Sequence, residues 1–189
     1  MAIWNYRAEL MPREWILKTY GCIPEILDQE ENIDQALERD PDILDTEIPS
    51  SWEGIACPSD FLDRAKSILG VCEHKTGYIC CGKHGSHRID LWFDGSRPSS
   101  LGIKLDLRTP DIDLFEQIVD YARYLNTLIV PDDRFTAVEP TLEGLLKDLP
   151  HSRAFRFCDD PVACLAEIAA KHKKSANKTL HPTAGSAPL

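Results

Sequence analysis

Nowhere does the chain carry eighteen consecutive apolar residues, so no segment reads as a membrane-spanning helix. Its start, MAIWNYRAELMPREW, lacks a basic stretch followed by an apolar one, so no secretory signal is expected. Positive charge is scarce: 21 Lys and Arg stand against 31 Asp and Glu, a net charge of −10. A surface of that sign repels phosphate backbones, which disfavours nucleic acid as a partner and steers a basic protein toward it. Fingerprints of common enzyme chemistry are missing as well. There is no Gly-rich phosphate loop, HExxH, G-x-S-x-G or Rossmann pattern, and CGKHGS (81–86) has neither Walker spacing nor a following helix.

What is present is enough for one substantial core. A chain of 189 residues with 43% apolar and 28% charged side chains is an ordinary soluble domain in size and make-up. Seven cysteines, an odd and scattered set, suit reduced thiols in a cytoplasmic protein.

Periodicity gives the elements. Trp4, Tyr6, Ala8 and Leu10 alternate as in a strand, and PREWILKTYG follows as a helix with Pro12 in its first turn and Gly21 at its end. The acidic stretch from Glu25 to Glu47 contains Pro41 and reads as a short helix plus a solvated loop. PSDFLDRAKSILG (58–70) is a helix capped by Ser59, with Phe61, Leu62, Ala65, Ile68 and Leu69 inward. YICCGK, HRIDLWFDG and LGIKLDLR are strands. The apolar residues of the last two fall on odd numbers, so facing residues must sum to an even number. That parity predicts a three- or five-residue loop at DGSRPSS rather than a two-residue Asp94-Gly95 turn. Further on, Thr109 and Pro110 open a helix whose stripe is Ile112, Phe115, Ile118, Val119, Ala122 and Leu125. TLIV and FTAVE read as a hairpin, Thr141 opens a short helix, AFRF reads as a strand, and Pro161 starts a last helix. Strands grouped in mid-chain with helices around them imply α+β: a single domain over 1–174, an antiparallel sheet of about four to six strands, and helices mainly on one face. Residues 175–189 lose periodicity and read as a disordered tail.

Cys72, His74, Cys80, Cys81, His84 and His87 hold enough sulfur and nitrogen for a zinc ion, but their C-x-H-x5-C-C-x2-H-x2-H spacing matches no usual ligand pairing. In a strand, Cys80 and Cys81 point to opposite faces. No cofactor or metal is therefore expected, with Cys81, His84 and His87 as the residual metal candidates. The same three would serve a thiol-dependent enzyme.

The polar sides of the two clearest strands carry Arg88, Asp90 and Trp92 beside Lys104, Asp106 and Arg108. Opposite charges on neighbouring strands attract across a sheet and explain that face without a ligand. Trp92 does not fit a solvated face. It either packs beneath a helix or loop, the favoured reading, or centres a binding patch.

Two resemblances add to this. NKTLHPTAG in the tail resembles the C-terminal extension of integron gene-cassette products, which implies translated recombination-site sequence from about 175 onward. RIDLWFDG, IKLDLRTPD and VEPTLEGLL resemble a group of small uncharacterised bacterial cytoplasmic proteins, which implies a compact α+β domain and names no activity. The expectation is a non-enzymatic, cytoplasmic, acidic binding protein, an immunity-type or antitoxin-like inhibitor of a basic protein. Its contact residues would be Trp92, Asp90, Arg88, Asp106, Glu30, Glu31 and Asp34. The alternative is a small-molecule binder or a metal- or thiol-dependent enzyme with its site at the 80–87 hairpin. A homodimer through the Trp92 face is a third arrangement.

Overall fold

Alternation of apolar and polar residues makes strands of one face each, and such strands must share a layer to hide that face. The computed structural model of the chain describes residues 4–27, 50–83 and 85–163. In chain order these form β1 (Asn5–Pro12), α1 (Arg13–Tyr20), α2 (Phe61–Leu69), β2 (Val71–Lys75), β3 (Tyr78–Gly82), β4 (Arg88–Asp94), β5 (Arg97–Asp106), α3 (Ile112–Tyr124), β6 (Thr127–Pro131), α4 (Leu142–Asp148), a single 3-10 turn (Leu149–His151) and α5 (Arg153–Asp159). All six strands belong to one antiparallel sheet, ordered β2-β3-β4-β5-β1-β6. The expected α+β class, strand count and antiparallel pairing are those observed.

The main core lies on one side of the sheet. Tyr6, Ala8, Leu10, Cys81, Ile89, Leu91, Leu101, Ile103, Leu105 and Ile129 meet Ala65 of α2, the Phe115–Ile118–Ala122 stripe of α3, Leu145 of α4 and Ala154 of α5. On the other side, cover among the described residues is confined to the β1–β6 end, where Met11, Leu128 and Val130 pack with Ile16 of α1 and Leu27. This one-sided distribution leaves the opposite face of β3, β4 and β5 carrying polar side chains.

The parity argument holds through the body of the β4–β5 pair, where Ile89 faces Ile103 and Leu91 faces Leu101. The loop deduced from it does not form. Asp94 pairs with Arg97 across a two-residue Gly95-Ser96 turn, and a register shift between Trp92 and Phe93 restores the parity, because Ser99 is the extra residue. A bulge thus lets a tight turn and a correctly faced strand coexist.

Other expectations are corrected locally. Ser59 does not cap α2; the preceding Asp60 gives its carboxylate to Arg64 and to the Tyr124 hydroxyl. Asp111, not Thr109, caps α3, accepting from the Leu114 N–H at 3.1 Å. The start of the α3 stripe moves accordingly, with Leu114 buried and Ile112 exposed. AFRF lies in helix α5, whose first turn is fixed by the Ser152 hydroxyl accepting from Phe155 N–H. Four residues are too few to tell period two from period 3.6, and the cap decides. FTAVE joins β6 through an isolated bridge from Val138 to Ile129 rather than as a full strand. The acidic stretch beyond Leu27, the last helix beyond Ala163 and the tail lie outside the described residues. Among the described residues no helix is long and apolar enough to cross a membrane.

Candidate functional site

Cross-strand pairing decides which side chains share the open face. Tyr78 faces Trp92, Cys80 faces Asp90, Arg88 faces Lys104, Trp92 faces Ser100, and Lys104 in turn faces Arg7. Glu9 lies opposite Gly102, which has no side chain and therefore leaves a dip in the sheet surface. That dip is a cavity of about 220 Å³. Trp92 leans over it: a Cβ placed on Gly102 would stand 3.4 Å from the indole Cζ3. Arg7, Glu9 and Lys104 reach into it from β1 and β5, Arg88 and Asp90 from β4, and Asp132 stands at its exposed rim.

These charges are not alike in their partners. Asp90, 5% exposed, accepts from Arg88 Nε at 2.6 Å and from the Tyr78 hydroxyl at 2.7 Å, so its charge is fully answered. Burial, then that hydrogen bond, pushes the Tyr78 hydroxyl well above its usual range. Glu9 accepts from Ser51 Oγ at 2.9 Å and more weakly from Ser100 Oγ at 3.4 Å, yet no cation pairs with it among the described residues. Burial, opposed by the Ser51 hydrogen bond, raises its carboxyl above the ordinary value. Lys104 is 6% exposed, and its side chain makes no hydrogen bond or ion pair among the described residues. Burial lowers its amine, and the neighbouring Arg88 and Arg7 guanidiniums lower it further. The ammonium itself keeps contact with solvent at the cavity opening, so an anion bound there would meet it directly.

The wall that frames this cavity is built deliberately by the chain. Pairing of β1 with β5 stops at Glu9–Gly102. Trp52 takes the next acceptor, its indole N–H reaching Leu10 O at 3.1 Å, while Ser51 turns to Glu9. The segment 50–52 thus wedges the fork between the two strands. Trp92 packs on Tyr78, ring centroids 5.3 Å apart, and stays 40% exposed at the mouth. Trp92 thus packs on the sheet itself, against Tyr78 and over Gly102, rather than beneath a helix or loop of the described residues, and it borders an opening.

The other anticipated residues are placed differently. Asp106, 3% exposed, is held by Arg108 through Nη2 at 2.6 Å and Nε at 2.9 Å, and this pairing keeps its carboxyl below the usual range. Arg108 in turn lies 4.4 Å over the Trp4 ring. Of the seven expected contacts, Arg88, Asp90 and Asp106 are thus committed to internal ion pairs, Trp92 is exposed, and Glu30, Glu31 and Asp34 lie outside the described residues. Cys81 is sealed in the core while Cys80 faces the other way. His87 accepts from Asp106 N–H at Nδ1, so Nε2 carries the proton that meets Thr109 O at 3.0 Å. Neither nitrogen has a lone pair left for a metal or a thiol. His84 lies outside the described residues, among which no three His, Cys, Asp or Glu side chains cluster as a metal site.

Sequence reasoning placed Lys104 beside Arg88 and Asp90 but missed Arg7 and Glu9. The signal was available: both alternate with Tyr6, Ala8 and Leu10, so they had to face away from the core. The chain matches no protein-family model, no curated protein and no solved structure.

Proposed function

We propose that the protein is a binding protein for a small polar molecule carrying an anionic group, held in the open-face cavity. The observation that carries this reading is Lys104, a residue 6% exposed that lines the cavity beside Arg7 and whose ammonium reaches its opening without an ion pair among the described residues. An anion there would answer a charge on which the nearby Arg88 and Arg7 outweigh the more weakly felt Asp90 and Asp106, and the exposed flank of Trp92 would cover the rest of the ligand. The site differs from the 80–87 hairpin, whose Cys81 and His87 are both committed elsewhere.

The net charge of −10 favours a second reading, recognition of a basic protein with Trp92 in the contact. One experiment separates the two. A thermal-shift screen of small carboxylates, phosphates and amino acids is expected to find stabilisers of the wild type that leave Lys104→Met unaffected. Stabilisers that act equally on both proteins, or none at all, would remove the small-ligand reading. A salt-sensitive complex with a basic protein, formed equally by Lys104→Met, would support the second.

A further inference from the structure

Resting on that reading, we infer that the ligand is a zwitterion of the α-amino-acid type, its carboxylate on Lys104 and Arg7 and its ammonium on Glu9. Glu9 and Lys104 project from adjoining strands onto one cavity floor, two pairing steps apart: Glu9 lies opposite Gly102 and Lys104 opposite Arg7, with the Ala8–Ile103 pair between. Diagonal neighbours in an antiparallel pair stand about 7–8 Å apart, a separation that long side chains can reach across. No ion pair joins them, and neither finds an ion partner elsewhere among the described residues.

A simple anion would answer Lys104 and leave Glu9 with hydroxyl donors alone. A simple amine would do the reverse. A molecule bearing both charges on groups bonded to one carbon bridges the gap and satisfies the two together. Charge-assisted hydrogen bonds of this kind are the strong ones, so losing either end is heavily felt. Ser51 and Ser100 both donate to one oxygen of Glu9, Oε1, and this leaves Oε2 for the incoming ammonium. The third requirement is a place for the side chain. Gly102 opens the floor, and the Trp92 indole beside it offers an apolar wall with its outer edge in solvent. That pairing favours an aliphatic or aromatic side chain over a charged one, because the charged groups of β4 on this wall, Arg88 and Asp90, are already engaged with each other.

Calorimetry at pH 7.5 with two matched sets tests this: L-leucine with 4-methylpentanoate and 3-methylbutylamine, and L-phenylalanine with 3-phenylpropanoate and 2-phenylethylamine. The expected result is that at least one amino acid binds ten-fold or more tighter than both of its single-charge analogues. Glu9→Gln should then weaken the amino acid at least ten-fold and leave its des-amino acid within two-fold. If a des-amino acid binds wild type as tightly as its amino acid, the zwitterion is wrong while the anion-binding reading stands. If no member of either set binds, and Lys104→Met behaves like wild type throughout the wider screen, both fall. The wild-type comparison needs no variant, so misfolding of Glu9→Gln would not shelter the proposal.

Discussion

A lysine without a partner is an expensive residue to bury. Lys104→Met keeps the side chain's length, removes the charge, and is expected to raise stability by about 1–3 kcal/mol while abolishing ligand binding. Because burial and the two arginines lower the folded-state amine, the unfolded chain holds its proton to higher pH. The stability gap between the two proteins is therefore full at neutral pH, shrinks as pH rises through the lowered pKa, and closes above about 10.4. Glu9 runs the opposite way. Its carboxyl is raised above 4.5, so its charged form destabilises the fold at neutral pH and the penalty disappears once pH falls below the unfolded value. Glu9→Gln should be the more stable protein at pH 7 and equal to wild type near pH 4, as denaturant titration at the two values will show. Asp106 has the normal sign. Arg108 holds its carboxyl low, so it stabilises above the unfolded pKa and that support is lost as pH falls through the folded one. Asp106→Asn is expected to cost about 1–3 kcal/mol at pH 7 in the same titration.

At the scale of elements, the cavity depends on register and on two glycines that act differently. Gly82 ends β3 at φ +106, and a Cβ there would meet His87 O at 2.3 Å. Gly82→Ala should break the β3–β4 connection at a cost of more than about 3 kcal/mol, read as a lowered melting temperature. Gly102 is not strained; its added Cβ meets its nearest neighbour, Trp92, at ordinary contact distance. Gly102→Ala should leave the melting temperature within a few degrees of wild type and weaken ligand binding by crowding the floor. Much of this layer was legible beforehand. The alternation in β4 and β5 gave the faces and the parity of their pairing, because a one-residue slip would expose the whole apolar set. The bulge at Ser99 was not legible, since an extra residue leaves no mark on the alternation of the strand's other half. Nor was the helix at AFRF, where a cap outweighed a short pattern.

For the molecule as a whole, the class could be read from the order of its elements, and the site could not. The site forms where β1, at the start of the chain, inserts between β5 and β6. That insertion sets Arg7 and Glu9 beside Lys104 and Gly102, more than ninety residues away in sequence, and no local motif announces such a meeting. The charges that drew attention locally, Arg88, Asp90 and Asp106, are the ones the fold neutralises within itself. Those that looked unremarkable are left unanswered. The most direct test is an NMR titration of the Lys104 ammonium in protein labelled on lysine side chains, with and without saturating L-leucine. The account requires an amine that titrates below ordinary lysine in the free protein and moves back up when leucine's carboxylate is present. An amine that titrates at the ordinary lysine value in both samples would contradict it.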